Sequence, residues 1–247
     1  MRAPKFKEFI SEAKGNEKFR LLIVTDEPDQ AKQFHTANRL KDECDKLNIS
    51  SYLFQLSAGY TQFVEGIRTF HNKDDKKGFV IDKNTVAIIR GSVTRKDSWL
   101  DFISILEKAN VCLVNSRQTI SICVDKYRSA LKLADYGLTQ PKSVLINNPK
   151  TILEQVEEAE IKFPLIMKTL RGSKGVGVLF IDSERGLDSI VQLINKQDED
   201  ADLLVQEYIK TDYDVRVLVL GDKILATMKR PVIEGDFRSN VSQGSKP

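Results

Sequence analysis

The segment IMKTLRGSKGVGVLFI, residues 166–181, places a glycine-rich loop between two short apolar strands. The first strand carries Lys168, and the loop adds the basic residues Arg171 and Lys174. The glycines of the loop are Gly172, Gly175 and Gly177. Such a loop can simply reverse the chain, because glycine adopts backbone conformations that other residues resist. It can also cover a phosphate, because glycine lets backbone N–H groups approach an anion while nearby cations supply charge.

Two well-known phosphate loops do not match this segment. A P-loop ends in Gly-Lys-Ser/Thr and leads into a helix, whereas here Val178 follows Gly177 and a β-rich run comes next. The dinucleotide fingerprint orders its glycines as G-x-G-x-x-G between a strand and a helix. The order here is G-x-x-G-x-G between two strands. If the loop holds phosphate, we expect it to do so as a cover between two strands.

The overall composition limits the class of protein and its partners. The chain has 247 residues, of which 41% are hydrophobic and 30% charged, as in ordinary globular proteins. Its 38 basic and 35 acidic residues give a net charge of +3, a balance that does not favour nucleic acid as a partner. We expect no nucleic-acid partner, and self-association is left open.

Cysteine, histidine and apolar patterns exclude several further classes. Three cysteines without CxxC spacing do not form a disulfide framework, and two distant histidines argue against a zinc site. The N-terminus has no apolar region of a secretory signal, and no run of about 18 apolar residues predicts a membrane span. We therefore expect a cytoplasmic protein with no membrane partner.

The N-terminal third alternates between strand and helix patterns. Apolar runs predict strands near residues 19–27, 49–56, 85–92 and 111–116, and helical spacing predicts helices at 29–47 and 99–109. The charged run 71–78 reads as a solvated loop. Strand–helix alternation is typical of a parallel sheet with helices packed on it.

The remaining sequence changes character. One helix is predicted over residues 121–138 and ends near Gly137. Further patterns predict helices at 149–159 and 185–194, strands at 141–146 and 202–209, and a hairpin at 213–230 that turns at Gly221-Asp222.

Four segments of this second part resemble the ATP-grasp ligases, most closely the RimK-like branch that joins an amino acid, often glutamate, to a carboxylate. They are VDKYRSALKLADYGL (124–138), FPLIMKTLRGSKGVGV (163–178), LLVQEYIKTDYDVRVLVLGDKILATMKR (203–230) and EGDFRSN (234–240). The resemblance covers the chain from about Val111 onwards, and its most specific part is the run 206–240. Residues 1–110 match the family only in their strand–helix rhythm.

The resemblance implies a fold that is part α/β and part α+β. A parallel-sheet, Rossmann-like domain that precedes the ATP-grasp domain is expected over residues 1–115. A central ATP-grasp subdomain with the lysine strand and glycine-rich lid follows at 116–202. Residues 203–247 are then the start of the C-terminal subdomain, and the ATP-grasp domain is expected to be incomplete at its C-terminus.

The resemblance also implies a set of ATP-binding residues. Lys126 resembles the first phosphate-contacting lysine and Lys168 the second, and the loop after Lys168 resembles the lid over the triphosphate. Glu207 and Tyr208 stand where the family meets adenine, and Asp214 corresponds to the acid that accepts from the ribose hydroxyls. The remaining members of the implied binding set are Arg171, Gly172, Ser173, Lys174, Gly175, Gly177, Arg238, Ser239 and Asn240.

Four residues are implied to face the transferring phosphoryl group and the substrate carboxylate: Arg216, Arg230, Arg238 and Asn240. Alternative structural roles stay open for several single residues. Lys126 can be a helix-surface lysine, and Arg216 and Arg230 can be cross-strand partners of acids.

The implied reaction is an ATP-dependent ligation in two steps through an acyl phosphate, and it requires no side-chain nucleophile. The implied partners are an amino acid and a carboxylate acceptor, either a protein C-terminus or a small molecule. The alternative is a nucleotide-binding module that does not turn over.

The expectation for metal follows from the same resemblance. ATP is expected to come with Mg²⁺, which the family holds with an Asp … Glu-x-Asn pattern on later strands. That pattern would lie beyond Pro247, so we expect no protein ligand for the metal among these residues.

Overall fold

The computed structural model describes residues 19–26, 35–91, 93, 96–170, 177–197 and 201–232. The chain divides into two compact units, Met1–Ser121 and Ile122–Pro247. The elements are numbered separately for strands and helices, in chain order. The division between Ser121 and Ile122 falls within a helix, Arg117–Val124.

The first unit is built around a parallel sheet of four strands. Its strands are β1 (Arg20–Thr25), β2 (Ser50–Gln55), β6 (Thr85–Ile89) and β7 (Cys112–Val114), in the spatial order β2-β1-β6-β7. Its helices are α1 (His35–Lys46) and α2 (Asp97–Lys108). The central strand β1 is buried from Leu21 to Thr25, which explains its uninterrupted apolar sequence. The predicted parallel sheet is thus confirmed.

A small antiparallel sheet, which the sequence did not indicate, lies between β2 and β6 in the chain. It contains β3 (Tyr60–Val64), β4 (Ile67–His71) and β5 (Phe79–Val80), in that order. The run 71–78 is an ordered turn: Asp75 accepts hydrogen bonds from the Tyr52 hydroxyl at 2.6 Å and from the backbone N–H groups of Lys77 and Gly78. The run is thus a loop, as predicted, with Lys73, Asp74, Lys76 and Lys77 exposed, while Asp75 is tied to Tyr52 and His71 is the buried last residue of β4.

The second unit begins with two helices where the sequence predicted one. They are α3 (Arg117–Val124), which crosses the boundary between the units, and α4 (Lys126–Asp135). Asp125 separates them with an extended backbone, and its side chain accepts hydrogen bonds from the N–H groups of Tyr127 and Arg128. This N-cap starts a new helix at Lys126, because a capping carboxylate satisfies N–H groups that would otherwise have no partner.

An antiparallel four-stranded sheet forms the body of the second unit. Its strands are β8 (Ser143–Ile146), β9 (Leu165–Thr169), β10 (Val178–Ile181) and β11 (Leu203–Glu207), in the order β10-β9-β11-β8. A 3₁₀ turn (Pro149–Thr151) leads into α5 (Ile152–Glu158), and α6 (Glu184–Gln197) follows β10. One face of the sheet packs its side chains into a core with these helices. That core includes Ile152, Val156, Leu165, Met167, Leu187, Val191, Leu203 and Val205.

A separate two-stranded hairpin follows the sheet. It consists of β12 (Tyr213–Leu220) and β13 (Lys223–Pro231), with a register shift between Leu218 and Val219. The predicted hairpin and its turn at Gly221-Asp222 are confirmed. Most of its apolar side chains are exposed among the described residues.

Candidate functional site

Lys168 lies on the sheet face opposite to the helix-packed core. Side chains alternate between the two faces of a strand, so Leu165 and Met167 enter the core while Ile166 and Lys168 face the other way. Lys168 pairs with Leu204 on β11, and Ile166 pairs with Gln206. Residues directly opposite in an antiparallel ladder share a face, so Lys168 and Gln206 are diagonal neighbours on it.

Lys126 is brought to the end of the same strand by the first turn of α4. Its backbone N–H donates to the carbonyl of Leu170 at 3.1 Å. Its ammonium donates to the carbonyl of Thr169 at 2.8 Å and to that of Leu170 at 3.4 Å. Lys126 is half-buried. It is thus not the surface lysine of the alternative interpretation, because backbone and side chain both fix it to the end of β9.

The two lysines lie close enough to influence each other electrostatically. Burial lowers the pKa of Lys168, and the positive charge of Lys126 lowers it further. Burial also lowers the pKa of Lys126, although nearby Asp125 acts in the opposite direction. Neither ammonium forms an ion pair with an acid in the part of the chain that the structure describes. Two partly desolvated cations without acidic partners make a local environment that favours an anion.

Gln206 is the acceptor that holds Lys168, and sequence reasoning did not identify it. The Lys168 ammonium donates to the side-chain oxygen of Gln206. The Gln206 amide in turn donates to the hydroxyl of Ser143 at 2.6 Å. Gln206 is only 8% exposed. Its sequence signal is a single amide in the apolar run LLVQE, which takes on meaning only when the neighbouring strands are known.

The predicted phosphate lid is only partly within the described residues. Its members Arg171, Gly172, Ser173, Lys174 and Gly175 lie outside the described residues. Gly177 is described and sits where the loop rejoins the sheet, with its carbonyl accepting from the N–H of Thr169 at 3.0 Å. Its backbone φ is +75°, and a Cβ atom there would lie 2.3 Å from Oγ1 of Thr169. Both features require glycine at this position.

Glu207 and Tyr208, the predicted adenine contacts, lie at the end of β11. The N–H of Glu207 donates to the carbonyl of Lys142 at 3.0 Å, and the Glu207 carboxylate accepts from the N–H of Lys142 at 2.9 Å. The Tyr208 ring meets the ring of Phe180 edge to face at 5.0 Å. A cavity of about 320 Å³ is lined by both residues. Since the Glu207 N–H is already bonded, backbone groups beyond it have to supply any donor to a base.

Asp214 and Arg230 form a cross-strand pair on the hairpin. They are register partners, and the guanidinium binds the carboxylate through two hydrogen bonds. The alternative role for Arg230, a cross-strand partner of an acid, is therefore present in the structure. Arg216 lies opposite Met228 on the same hairpin and is exposed. Arg238, Ser239 and Asn240 are not among the described residues.

Metal ligands and membrane-spanning helices were sought over the described ranges. Within them, no three His, Cys, Asp or Glu side chains cluster in a way that could hold a metal ion. Over the same ranges, no helix has both the length and the apolar character that crossing a bilayer requires.

A family model described as the RimK-like ATP-grasp domain matches residues 123–247. A protein of Chromohalobacter salexigens named "Probable alpha-L-glutamate ligase" is 35% identical over 140 residues, which are 56% of this chain and 45% of that protein. The chain thus spans about half the length of the relatives it matches.

Solved structures show the same fold. A RimK domain protein of the ATP-grasp type from Sphaerobacter thermophilus superposes with a TM-score of 0.64 and 17% identity, over 85% of this chain and 72% of that one. The VanG D-Ala:D-Ser ligase from Enterococcus faecalis gives a TM-score of 0.67 and 16% identity, over 90% and 72% of the two chains. At these identities the likeness establishes the fold alone.

Proposed function

The chain belongs to the RimK-like ATP-grasp family, and we propose that it binds ATP and joins an amino acid to a carboxylate acceptor through an acyl phosphate. The relatives named glutamate ligases make glutamate the first amino acid to consider. The acceptor is a protein C-terminus or a small carboxylate.

One observation carries the ATP-binding part of this proposal: Lys126 and Lys168 lie together, and among the described residues their ammonium groups donate only to neutral acceptors. The two lysines are 42 residues apart in the sequence, yet the Lys126 ammonium bonds to the last residue of β9 and acts electrostatically on Lys168 of the same strand. Desolvated like charges repel, and an anion between them removes the repulsion while making charge-assisted hydrogen bonds. A triphosphate is an anion of sufficient charge and length to contact both.

Other residues of the second unit receive proposed roles around this lysine pair. The loop 171–177 covers the phosphates, and Glu207 and Tyr208 at the end of β11 meet the adenine. Asp214 accepts from the ribose hydroxyls, and Arg216, Arg230, Arg238 and Asn240 face the transferring phosphoryl group. Ser239 completes the contact to the nucleotide.

The chemistry needs positioned charge more than a reactive side chain. A carboxylate oxygen of the acceptor attacks the γ-phosphorus, the bond from phosphorus to the β,γ-bridging oxygen breaks, and ADP leaves with the electron pair. The amine nitrogen of the amino acid then attacks the acyl carbon, phosphate leaves, and the nitrogen loses a proton. Lys126 and Lys168 stabilise negative charge on the phosphates during the first step.

Mg²⁺ accompanies ATP in phosphoryl-transfer sites and would neutralise phosphate charge there as a Lewis acid. Since the described residues offer no cluster of metal ligands, no step above depends on a protein-held metal.

The proposal is tested by titrating ATP into the protein and into Lys168→Met by calorimetry. We expect binding by the wild type and a loss of about tenfold or more in the variant, since a buried phosphate loses a charge-assisted partner. ADP release that requires both glutamate and a carboxylate acceptor would support ligation. Absence of ATP binding by the wild type would overturn the nucleotide proposal, and binding without any amine-dependent ADP release would overturn the ligase proposal alone.

A further inference from the structure

The amide of Gln206 is held in one orientation by its neighbours. The Ser143 hydroxyl donates to the carbonyl of Pro141 at 2.8 Å, so its lone pairs are left to accept from Gln206 at 2.6 Å. The nitrogen of the Gln206 amide therefore faces Ser143, and its oxygen faces the Lys168 ammonium. Ser143 and Gln206 are register partners on β8 and β11, so the ladder itself keeps this chain of hydrogen bonds in place.

A neutral acceptor at this position has a specific electrostatic consequence. An amide oxygen orients an ammonium group and satisfies one of its three donors without cancelling its charge. A carboxylate would orient the same group but would neutralise it in a partly desolvated pair. Glutamate has nearly the same shape as glutamine. Exchanging one for the other at position 206 therefore changes the net charge around the two lysines and hardly changes the packing.

We propose that Gln206 is a positioning residue that fixes the Lys168 ammonium through the Ser143-anchored amide while leaving its positive charge available to an anionic ligand. This inference rests on the proposed nucleotide-binding function, because the anionic ligand that would use the Lys168 charge is the nucleotide. The charge argument itself concerns only residues of the second unit and can be measured without nucleotide.

Two charged groups near Lys168 influence its pKa directly or indirectly. Lys126 on α4 is the cation that acts on Lys168, and Asp125 at the start of α4 acts on Lys126. Substitutions at position 206 leave both of these unchanged. Any difference in the pKa of Lys168 between the variants is then caused by the side chain at position 206.

The nucleotide-free experiment follows the titration of Lys168 by NMR in protein labelled at the lysine ε-carbon, with Lys168→Met used to assign the signal. We expect the measured pKa of Lys168 to rise in Gln206→Glu, because a negative charge stabilises the ammonium. We expect it to fall in Gln206→Met, because the ammonium loses its acceptor. The order Glu, Gln, Met from highest to lowest supports the inference, and an unchanged pKa in Gln206→Glu overturns it.

The second experiment measures ADP affinity at several salt concentrations. Gln206→Glu is expected to weaken ADP binding by about tenfold and to reduce its salt dependence, since one positive charge is cancelled. Gln206→Met is expected to weaken binding while leaving the salt dependence as in the wild type. A purely structural role predicts equal losses and equal salt dependence in both variants, which would contradict the inference.

Ser143→Ala tests the anchoring step and does not change charge. The Gln206 amide then loses the acceptor for its nitrogen, and we expect ADP affinity to fall by about threefold, within the range of one neutral hydrogen bond. In Ser143→Thr, which keeps a hydroxyl, affinity is expected to stay near that of the wild type.

If the wild type binds no nucleotide, the proposed function fails, and the NMR titration still decides the inference. If Gln206→Glu does not fold, the comparison of Gln206→Met with the wild type by NMR decides it, since an unchanged or raised Lys168 pKa in that variant overturns the inference.

Discussion

Arg230 and Asp214 are joined by two parallel hydrogen bonds across the hairpin β12–β13. Nε donates to one carboxylate oxygen at 2.7 Å and a terminal nitrogen to the other at 2.5 Å. This pairing raises the pKa of Arg230. The structure therefore joins the residue proposed to hold the ribose to one of the arginines proposed to face the phosphoryl group. Any ligand that donates a hydrogen bond to Asp214 or accepts one from Arg230 changes the environment of the other residue.

Asp214→Asn distinguishes a ribose contact from a purely structural pair. If Asp214 accepts from ribose hydroxyls, the wild type should prefer ATP over 2′,3′-dideoxy-ATP, and Asp214→Asn should lose most of that preference. We expect a reduction of about tenfold in the affinity ratio, since a charged acceptor is replaced by a weaker one. Competition binding with both nucleotides measures the ratio. An unchanged ratio would restrict Asp214 to pairing with Arg230.

The matched control is Arg230→Gln, which removes the same ion pair from the other side. Its effect on hairpin stability should resemble that of Asp214→Asn, about 1 kcal/mol or less because the Asp214 side chain is 38% exposed. It should leave the ratio between the two nucleotides near the wild-type value. A double-mutant cycle in urea separates the shared pairing energy from the ribose effect.

The stability of the protein without nucleotide should depend on pH through Lys168. Its folded pKa lies below the ordinary value of 10.5 because of burial and Lys126. Below the folded pKa both states hold the proton, and the cost of the buried charge is present in full. As pH rises from the folded pKa to 10.5, the folded state releases the proton first, so stability rises. We expect Lys168→Met to be more stable than the wild type at pH 7, with the difference shrinking towards pH 10.5.

Urea denaturation of both forms at several pH values measures this difference. Lys142→Met, at an exposed lysine that pairs with Glu160 at 3.1 Å, is the control for the loss of one lysine side chain. A constant difference between Lys168→Met and the wild type across the alkaline range would mean that Lys168 is not desolvated in the folded protein.

Tyr52 should contribute stability that is lost at alkaline pH. Burial, and donation of its hydroxyl to Asp75 at 2.6 Å, raise its pKa from 10.0 to about 12. Its contribution is therefore complete below pH 10 and disappears as pH rises from 10 to about 12. We expect Tyr52→Phe to lose about 1 kcal/mol at pH 7, and this loss to shrink and then reverse as pH rises from 10 to about 12, because a buried phenolate next to Asp75 destabilises the folded wild type.

The control for Tyr52 is Tyr60→Phe, whose side chain is 55% exposed. It should change stability little at pH 7. If Tyr52→Phe costs nothing at pH 7, the turn 71–78 is not held by the Tyr52–Asp75 bond, and the ordered turn depends on the backbone bonds to Asp75 instead.

The elements that the sequence predicted well carry strong local signals. The parallel strands of the first unit are uninterrupted apolar runs, and the hairpin turn at Gly221-Asp222 is marked by a glycine at a backbone φ of +62°. The break at Asp125 was missed because helical spacing continues on both sides of it, and only the cap geometry divides the two helices. Local pattern alone does not report such a break.

Other features depend on pairing between distant segments, which single-sequence patterns do not contain. The β3–β5 sheet was missed because its strands expose many side chains, so their apolar pattern is weak. Gln206 was missed because its role is defined by Lys168 and Ser143 on two neighbouring strands. The lysine pair itself came from the family resemblance, while its neutral acceptors could only be seen in the structure.

Gly177→Ala provides a test of the proposed lid through the base of the loop. The substitution places a Cβ atom 2.3 Å from Oγ1 of Thr169 and strains a backbone at φ +75°. The strain should shift the junction between the loop and β10 next to Lys168, since Val178 is the register partner of Lys168. We expect ATP affinity to fall by about tenfold, with a stability loss of about 2 kcal/mol.

The steric part of this effect can be separated from the backbone part. Gly177→Ala combined with Thr169→Ala removes the clashing hydroxyl and should recover part of the ATP affinity, while the strain from the positive φ remains. Gly221→Ala has a similar φ of +62° but meets nothing within 4 Å, so it should cost about 1 kcal/mol in stability and leave ATP affinity unchanged. If Gly177→Ala and Gly221→Ala lower ATP affinity equally, the effect comes from general destabilisation. The loop 171–177 would then have no specific part in holding the nucleotide, and the proposed lid would have to be abandoned.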